Sequence, residues 1–106
     1  MTINTLQEDL RAFAAEREWQ SFHTPENLAK SISIEAAELL ECFQWGPDSR
    51  EDDVRHELAD VLTYCLMMAN RLGLDAETII REKLEITRVK YPIERSRGRS
   101  EKYDRL

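Results

Sequence analysis

The chain has few of the residues that interrupt helices, and it lacks a long apolar run. Only three glycines and three prolines occur among its 106 residues, and they fall where helices are expected to end, which favours an all-α fold over a sheet. No stretch of about 18 apolar residues could form a transmembrane helix, and the N-terminus lacks the basic and apolar regions of a signal peptide. We therefore expect one cytoplasmic domain that spans residues 1–106.

Cysteine is scarce, and positive charge is outnumbered by negative charge. Cys42 and Cys65 lack the spacing of a zinc site and stand among apolar residues, so both are predicted to be buried thiols. The 21 Asp and Glu residues outnumber the 15 Lys and Arg residues, which gives a net charge of -6. This charge disfavours nucleic acid and anionic membranes as partners, although a small polyanion could bind through a metal ion.

Hydrophobic spacing and capping signals predict a four-helix bundle. The first helix covers about residues 5–18. Thr24 is a good N-cap and Pro25 suits the first helical position, so a second helix begins there and ends at Gly46.

Two further helices complete the predicted bundle. Ser49 and Asp52 resemble a capping box, which opens a long third helix that stops at Gly73. Asp75 can cap the last helix, which ends before the Tyr-Pro pair at 91–92.

The surface of this bundle and its C-terminal tail suggest contacts beyond one chain. The third helix carries more apolar residues than a lone bundle buries, including Leu62, Leu66 and Met67, so we expect a homodimer or homotetramer. Residues 93–106 are polar and basic, so as free sequence they should form a flexible tail. A bound phosphate ligand could order that tail.

Two acidic pairs with the same spacing, Glu35-x-x-Glu38 and Glu57-x-x-Asp60, interrupt otherwise apolar helical stretches. At about 100° per residue, Glu35 shares a helix face with Leu28, where a core contact would be expected. Four carboxylates that converge inside a bundle repel one another unless a cation neutralises them. The alternative, an ordinary solvated acidic face, does not account for the position of Glu35.

The ligand types indicate which metal to expect. Carboxylates without thiols or imidazoles suit Mg²⁺, with Mn²⁺ also possible. A di-iron bundle would need a histidine three residues after a glutamate, and neither His23 nor His56 has that spacing. In the third helix, Glu57, Asp60 and Tyr64 should line one edge of an apolar stripe made of Val54, Leu58, Val61, Cys65, Met68 and Leu72.

These acidic pairs and their surroundings resemble the MazG-like all-α nucleoside triphosphate pyrophosphohydrolases. The likeness rests on the strings IEAAELLECFQW from Ile34 and ELADVLTY from Glu57, and further matches extend from FAAER at Phe13 to the Lys-Tyr pair at 102–103. It covers nearly the whole chain and is closest to the dCTP pyrophosphatase branch.

The resemblance implies Mg²⁺-dependent hydrolysis between the α and β phosphates of a nucleoside triphosphate, which releases a monophosphate and pyrophosphate. It implies that the metal is bound by Glu35, Glu38, Glu57 and Asp60. Glu35 or Glu38 is the candidate general base, and the sequence decides neither between them nor between one and two metal ions. Such an enzyme would remove surplus or modified nucleotides from the cellular pool.

The same likeness implies a nucleoside pocket made of Trp19, Gln20, Ser21, Phe22, His23, Trp45 and Tyr64, with Lys83 near the phosphates. Nucleobases stack on aromatic rings, while polar groups at the base edge select among bases. Plain packing is the alternative role for the tryptophans and Tyr64, and a surface position is the alternative for His23 and Lys83.

The expected substrate is dCTP or a modified dCTP, but this chain departs from the dCTP-specific relatives at two positions. Leu10 replaces a histidine, and Thr87 replaces an asparagine whose paired donor and acceptor a threonine cannot supply. Two other functions stay open: a phosphoribosyl-ATP pyrophosphohydrolase, and a non-catalytic helical module that senses a nucleotide or binds a protein partner.

Overall fold

The structure, a computed structural model of the chain, describes residues 2–47 and 50–106. Within these ranges, five helices and no strands occur: α1 (Ile3–Glu16), α2 (Pro25–Glu41), α3 (Glu51–Arg71), α4 (Ala76–Lys90) and α5 (Ile93–Ser96). A short 3₁₀ helix, Tyr103–Arg105, lies near the C-terminus. The predicted all-α fold with four principal helices is confirmed, and none of the described helices is long and apolar enough to cross a membrane.

Threonine side chains cap the first two helices. At α1, the Thr2 hydroxyl accepts a hydrogen bond from the Thr5 backbone N–H at 3.2 Å, and the Thr5 hydroxyl accepts one from the Thr2 N–H at 2.9 Å. At α2, the Thr24 hydroxyl accepts a hydrogen bond from the Asn27 N–H at 3.2 Å, and Pro25 is the first helical residue. The predicted start of the second helix is therefore confirmed.

The other helix boundaries agree with the sequence less uniformly. α2 ends five residues before the predicted stop at Gly46, because residues 42–45 form turns instead. α3 begins at Glu51, and its predicted cap, Ser49, lies outside the described residues. Gly73 follows α3 with a φ of +68°, a left-handed conformation that glycine adopts without steric cost.

The first of two compact units, Met1–Ala76, contains α1, α2 and α3. α2 packs along α3, and α1 packs against α3. α2 and α3 run antiparallel. Cys42, next to the C-terminal end of α2, lies near Asp53 at the start of α3, whereas Glu35, about two turns earlier on α2, lies near Asp60, about two turns later on α3.

The inward face of α3 differs from the predicted apolar stripe. Leu58, Cys65 and Leu72 are exposed. In the first part of this helix the half-buried positions recur every three or four residues, at Val54, Glu57, Val61 and Tyr64, and further along Met67 and Ala69 are buried. The face that meets the rest of the unit is therefore turned toward the acidic edge, which places Glu57 and Tyr64 on it.

The prediction of two buried thiols is wrong. Cys65 is exposed because it lies on the outer face of α3, beside Leu58 and Leu62, which α1 and α2 leave uncovered. Cys42 is half-buried where α2 ends.

The second compact unit, Glu77–Leu106, consists of most of α4 and the C-terminal tail. The Tyr91 hydroxyl accepts a hydrogen bond from the Tyr103 N–H at 3.2 Å, and Lys90 Nζ lies 4.6 Å from the centre of the Tyr103 ring. Arg95 donates a hydrogen bond to the Leu106 carbonyl at 2.9 Å. These contacts hold parts of the C-terminal tail together, and the flexibility of the tail stays a prediction.

Candidate functional site

α2 and α3 carry acidic side chains on the faces where the two helices meet. On α2, the half-buried Glu35 shares its face with Leu28, which is fully buried, and with the half-buried Ile32 and Leu39. On α3, Glu57 occupies an equivalent half-buried position. The helical period thus places carboxylates where apolar side chains normally pack, as the sequence predicts for Glu35.

Three of these carboxylates converge. Glu35, Glu57 and Asp60 each offer one oxygen, and these oxygens all lie within 4.8 Å of one another. Glu35 Oε2 and Glu57 Oε2 are buried and have no hydrogen-bond partner. Since buried polar atoms in folded proteins are nearly always paired, the two unpartnered oxygens fit a site that binds a cation.

The crowding of negative charge changes the proton affinity of the cluster. A hydrogen bond with Glu38 raises the pKa of Glu35 to about 7, and partial burial and the charges of Glu38, Asp60 and Glu57 contribute to the rise. Partial burial also raises the pKa of Glu57, as do a hydrogen bond with Glu38 and the neighbouring acids. Without a cation, Glu35 is therefore only partly ionised near neutral pH.

Glu38, the fourth predicted acid, lies at the solvent-exposed side of this cluster. Its carboxyl is outside the cluster of three, yet it interacts with both Glu35 and Glu57. Glu38 and Asp60 are exposed, so the cluster opens to solvent on one side. The structure thus gathers all four predicted acids at one place.

The donor set fits a hard divalent cation. Carboxylate oxygens are the usual protein ligands of Mg²⁺ and Mn²⁺. The nearby Cys42 thiol is a poor competing ligand, because burial and the charges of Glu57 and Asp53 raise its pKa and keep it protonated.

The segment after α1 holds a small aromatic group. The Trp19 ring meets the Phe13 ring edge-on with centroids 5.5 Å apart, and it meets the His23 ring at 6.0 Å. Glu18, with a φ of 55°, turns the chain at the end of α1 and so directs Trp19 back toward Phe13.

A cavity of about 290 Å³ lies between α1, α3 and the segment after α1. Gln20 and His23, both predicted to contact the nucleoside, line this cavity. Its other polar lining residues, which sequence reasoning missed, are Arg11, Asn70 and Arg71. No spacing within α1 marks Arg11 as a site residue, because its hydrogen-bond partner Asn70 lies 59 residues further along the chain.

The remaining predicted nucleoside residues do not line this cavity. Tyr64 is half-buried on the inward face of α3, and Ser21 is exposed. Phe22 and Trp45 are 67% and 92% exposed. Lys83 is an exposed residue of α4 in the second unit. The roles of these residues stay predictions.

Comparison with known proteins places these features in a family. The sequence pattern of the MazG-like family matches residues 30–106. The chain is 36% identical to dCTP pyrophosphatase 1 of Bos taurus and 38% identical to that of Rattus norvegicus, with 93% of this chain aligned in each case. The aligned part is about two thirds of those relatives, 67% and 66% of their lengths.

A solved structure gives the same indication. A pyrophosphatase from Archaeoglobus fulgidus superposes with a TM-score of 0.77 and 41% sequence identity, covering 84% of this chain and 91% of that one. The likeness therefore extends over nearly all of both chains.

Proposed function

This chain belongs to the MazG-like family, and from that premise we propose that it is a divalent-metal-dependent nucleoside triphosphate pyrophosphohydrolase. The reaction adds water across the bond between the α and β phosphates and yields a nucleoside monophosphate and pyrophosphate. The observation that carries the proposal is the convergence of Glu35, Glu57 and Asp60, with two buried carboxylate oxygens that lack hydrogen-bond partners.

Glu35, Glu38, Glu57 and Asp60 would hold the cation, for which Mg²⁺ is the first candidate and Mn²⁺ the second. When bound, the cation neutralises phosphate oxygens and lowers the pKa of water. A carboxylate must then accept the proton that the attacking water loses. Glu38 suits this role because it is exposed and stands outside the cluster of three, and Glu35 is the alternative.

The nucleoside would lie on the side of the site formed by α1 and the segment that follows it. Edge contacts of the Trp19 ring with Phe13 and His23, and the position of Gln20 in the adjoining cavity, support this placement. The proposed substrate, dCTP or a modified dCTP, follows the names of the relatives of known function. Trp45, Tyr64 and Lys83 are further candidates for contact with the nucleotide.

The proposed enzyme acts as a homodimer or homotetramer, because large apolar side chains on α4 stay exposed in the single chain. These residues are Ile79, Ile80, Leu84, Ile86 and Val89. An amphipathic helix normally buries its apolar side, so a second copy of the chain is the expected cover.

Product analysis with a panel of nucleotides tests the proposal. The wild-type protein is incubated with dCTP, 5-methyl-dCTP, the other common nucleoside triphosphates and phosphoribosyl-ATP, with and without Mg²⁺. We expect monophosphate and pyrophosphate in equal amounts, only with the cation, and fastest from the dCTP forms. Release of orthophosphate instead, or no product from any triphosphate by folded protein, would contradict the proposal.

A matched pair of variants ties this activity to the site. Glu38→Gln should lower kcat by about 100-fold or more, the usual loss when a general base is removed. Glu41→Gln makes the same charge change three residues later on α2, outside the four acids, and should retain activity. Equal activity in both variants would remove Glu38 from the mechanism.

A further inference from the structure

A hydrogen-bond network between α1 and α3, which borders the cavity at Asn70, is centred on a buried glutamine. Gln7 is only 4% exposed. Its Nε2 donates to Asn70 Oδ1 at 3.0 Å and to the Leu74 carbonyl at 3.1 Å, and its Oε1 accepts from the Ala76 N–H at 3.0 Å. Asn70 Nδ2 donates in return to the Gln7 carbonyl at 3.0 Å. Both amide side chains are therefore fixed in orientation.

This network holds the side chain of Arg11. Arg11 Nη2 donates to Asn70 Oδ1 at 3.1 Å, so the guanidinium is tied to an amide that is itself held by Gln7. An arginine at a helix surface otherwise loses considerable rotamer entropy when it binds a ligand. Here part of that loss occurs on folding, and four of the five guanidinium N–H donors are left for other acceptors.

The cavity beside Arg11 suits a ligand edge that is rich in hydrogen-bond acceptors. None of its lining residues is acidic, and Arg11 and Arg71 both contribute guanidinium groups. Asn70 lies ten residues after Asp60 on α3, which corresponds to about 15 Å along the helix axis. An extended nucleoside triphosphate covers such a span between its phosphates and its base.

We propose that Arg11 is a specificity-determining residue that donates paired hydrogen bonds to N3 and O2 of a cytosine base in this cavity. The inference rests on the proposed pyrophosphohydrolase function. Guanidinium groups present parallel N–H donors that match two adjacent acceptors. Cytosine offers such a pair, whereas uracil and thymine carry an N–H donor at N3 that would face the donors of Arg11. The residue thereby selects dCTP over dUTP and dTTP.

Arg11→Met tests the inference through a ratio of rates rather than through activity alone. The measured quantity is kcat/KM for dCTP and for dUTP, followed by pyrophosphate release. A bidentate pair contributes about 1 to 3 kcal/mol of discrimination, so the dCTP to dUTP ratio should fall on the order of 10- to 100-fold, mainly through loss on dCTP. Arg11→Lys keeps the charge but not the paired donors, and its ratio should fall as well.

Lys30→Met is the matched control, because it removes one positive charge from an exposed position on α2, outside the cavity. The ratio of kcat/KM for dCTP to kcat/KM for dUTP in this variant should equal that of the wild type. Equal losses on both nucleotides in Arg11→Met, or a ratio preserved in Arg11→Lys, would indicate a charge contact with phosphate and overturn base readout. Those results leave pyrophosphohydrolase activity standing, whereas a wild type inactive on every triphosphate overturns both proposals.

Discussion

Glu35 is the side chain at which the requirements of folding and of chemistry conflict most strongly. An apolar residue there would extend the contact that Leu28, Ile32 and Leu39 make on the same face of α2. The carboxylate instead leaves one oxygen without a partner and has a pKa raised to about 7. A residue of this kind lowers the stability of the metal-free protein, which is typical of functional sites.

This conflict predicts how the stability of the metal-free protein depends on pH. Between the ordinary pKa of 4.5 and the folded-state pKa of about 7, Glu35 binds more protons in the folded than in the unfolded protein. The contribution of Glu35 to the stability of the folded protein is therefore fully present below pH 4.5 and is lost as the pH rises through 7. The melting temperature of the wild type in EDTA should decline as the pH rises over this window, and the melting temperature of Glu35→Gln should decline less. Parallel curves for the two proteins would contradict the assignment.

Local sequence reasoning reached Glu35 but not Arg11, and the difference lies in sequence separation. The phase of Glu35 can be read from Leu28 and its other neighbours on a single helix. The position of Arg11 depends on Gln7 and Asn70, which are 63 residues apart in the chain. No helical period connects such residues, so only the packed structure shows that they meet.

The end of α1 shows how one helix terminus positions residues of the candidate site. Its last turn is closed by hydrogen bonds from the Trp19 N–H to the Ala14 carbonyl and from the Glu18 N–H to the Ala15 carbonyl, both 3.0 Å long. This motif requires a left-handed residue, and Glu18 adopts it with a φ of 55° where glycine is usual. The backbone strain of a non-glycine residue is thereby stored next to Trp19.

Glu18→Gly should stabilise the protein by about 0.5 to 1 kcal/mol, because relief of the left-handed strain exceeds the added entropy of the unfolded chain. Chemical denaturation measures the free energy of unfolding. Glu8→Gly, at an exposed position inside α1, is the control, and its free energy of unfolding should fall by about 0.5 to 1 kcal/mol. Destabilisation by both substitutions would show that the φ of Glu18 is not strained.

The orientation of α3 was less predictable than the capping of α2. Thr24 and Pro25 act through bonds within one helical turn, so the sequence alone locates that start. The inward face of α3 depends on what α2 presents to it, and the carboxylates of α2 meet those of α3. A count of apolar residues therefore selected Leu58 and Cys65, whereas the structure turns Glu57 and Tyr64 inward.

The single chain leaves large apolar side chains exposed, which supports the proposed homodimer or homotetramer. Among the described residues, the fully buried hydrophobic side chains are few, whereas Ile80 on α4 and Leu62 on α3 are more than half exposed. Burial of such residues against a second copy is the usual remedy.

Sedimentation should therefore give a mass at least twice the 12.4 kDa of one chain. Ile80→Glu introduces a charge on the exposed apolar side of α4 and should dissociate the assembly. Glu82→Gln, two residues later on the same helix, should leave the assembly intact. A wild-type protein that sediments as a monomer would contradict this prediction.

The central claim, that the carboxylates of α2 and α3 form a binding site for a divalent cation, is tested most directly by melting temperature with and without Mg²⁺. Saturation at about 100 times the dissociation constant should raise the melting temperature of the wild type on the order of 10 °C. Glu35→Gln should melt higher than the wild type in EDTA at pH 8, since it removes a repelling charge, and should gain little from Mg²⁺. A wild type that does not respond to Mg²⁺, or a Glu35→Gln variant that responds equally, would contradict the claim.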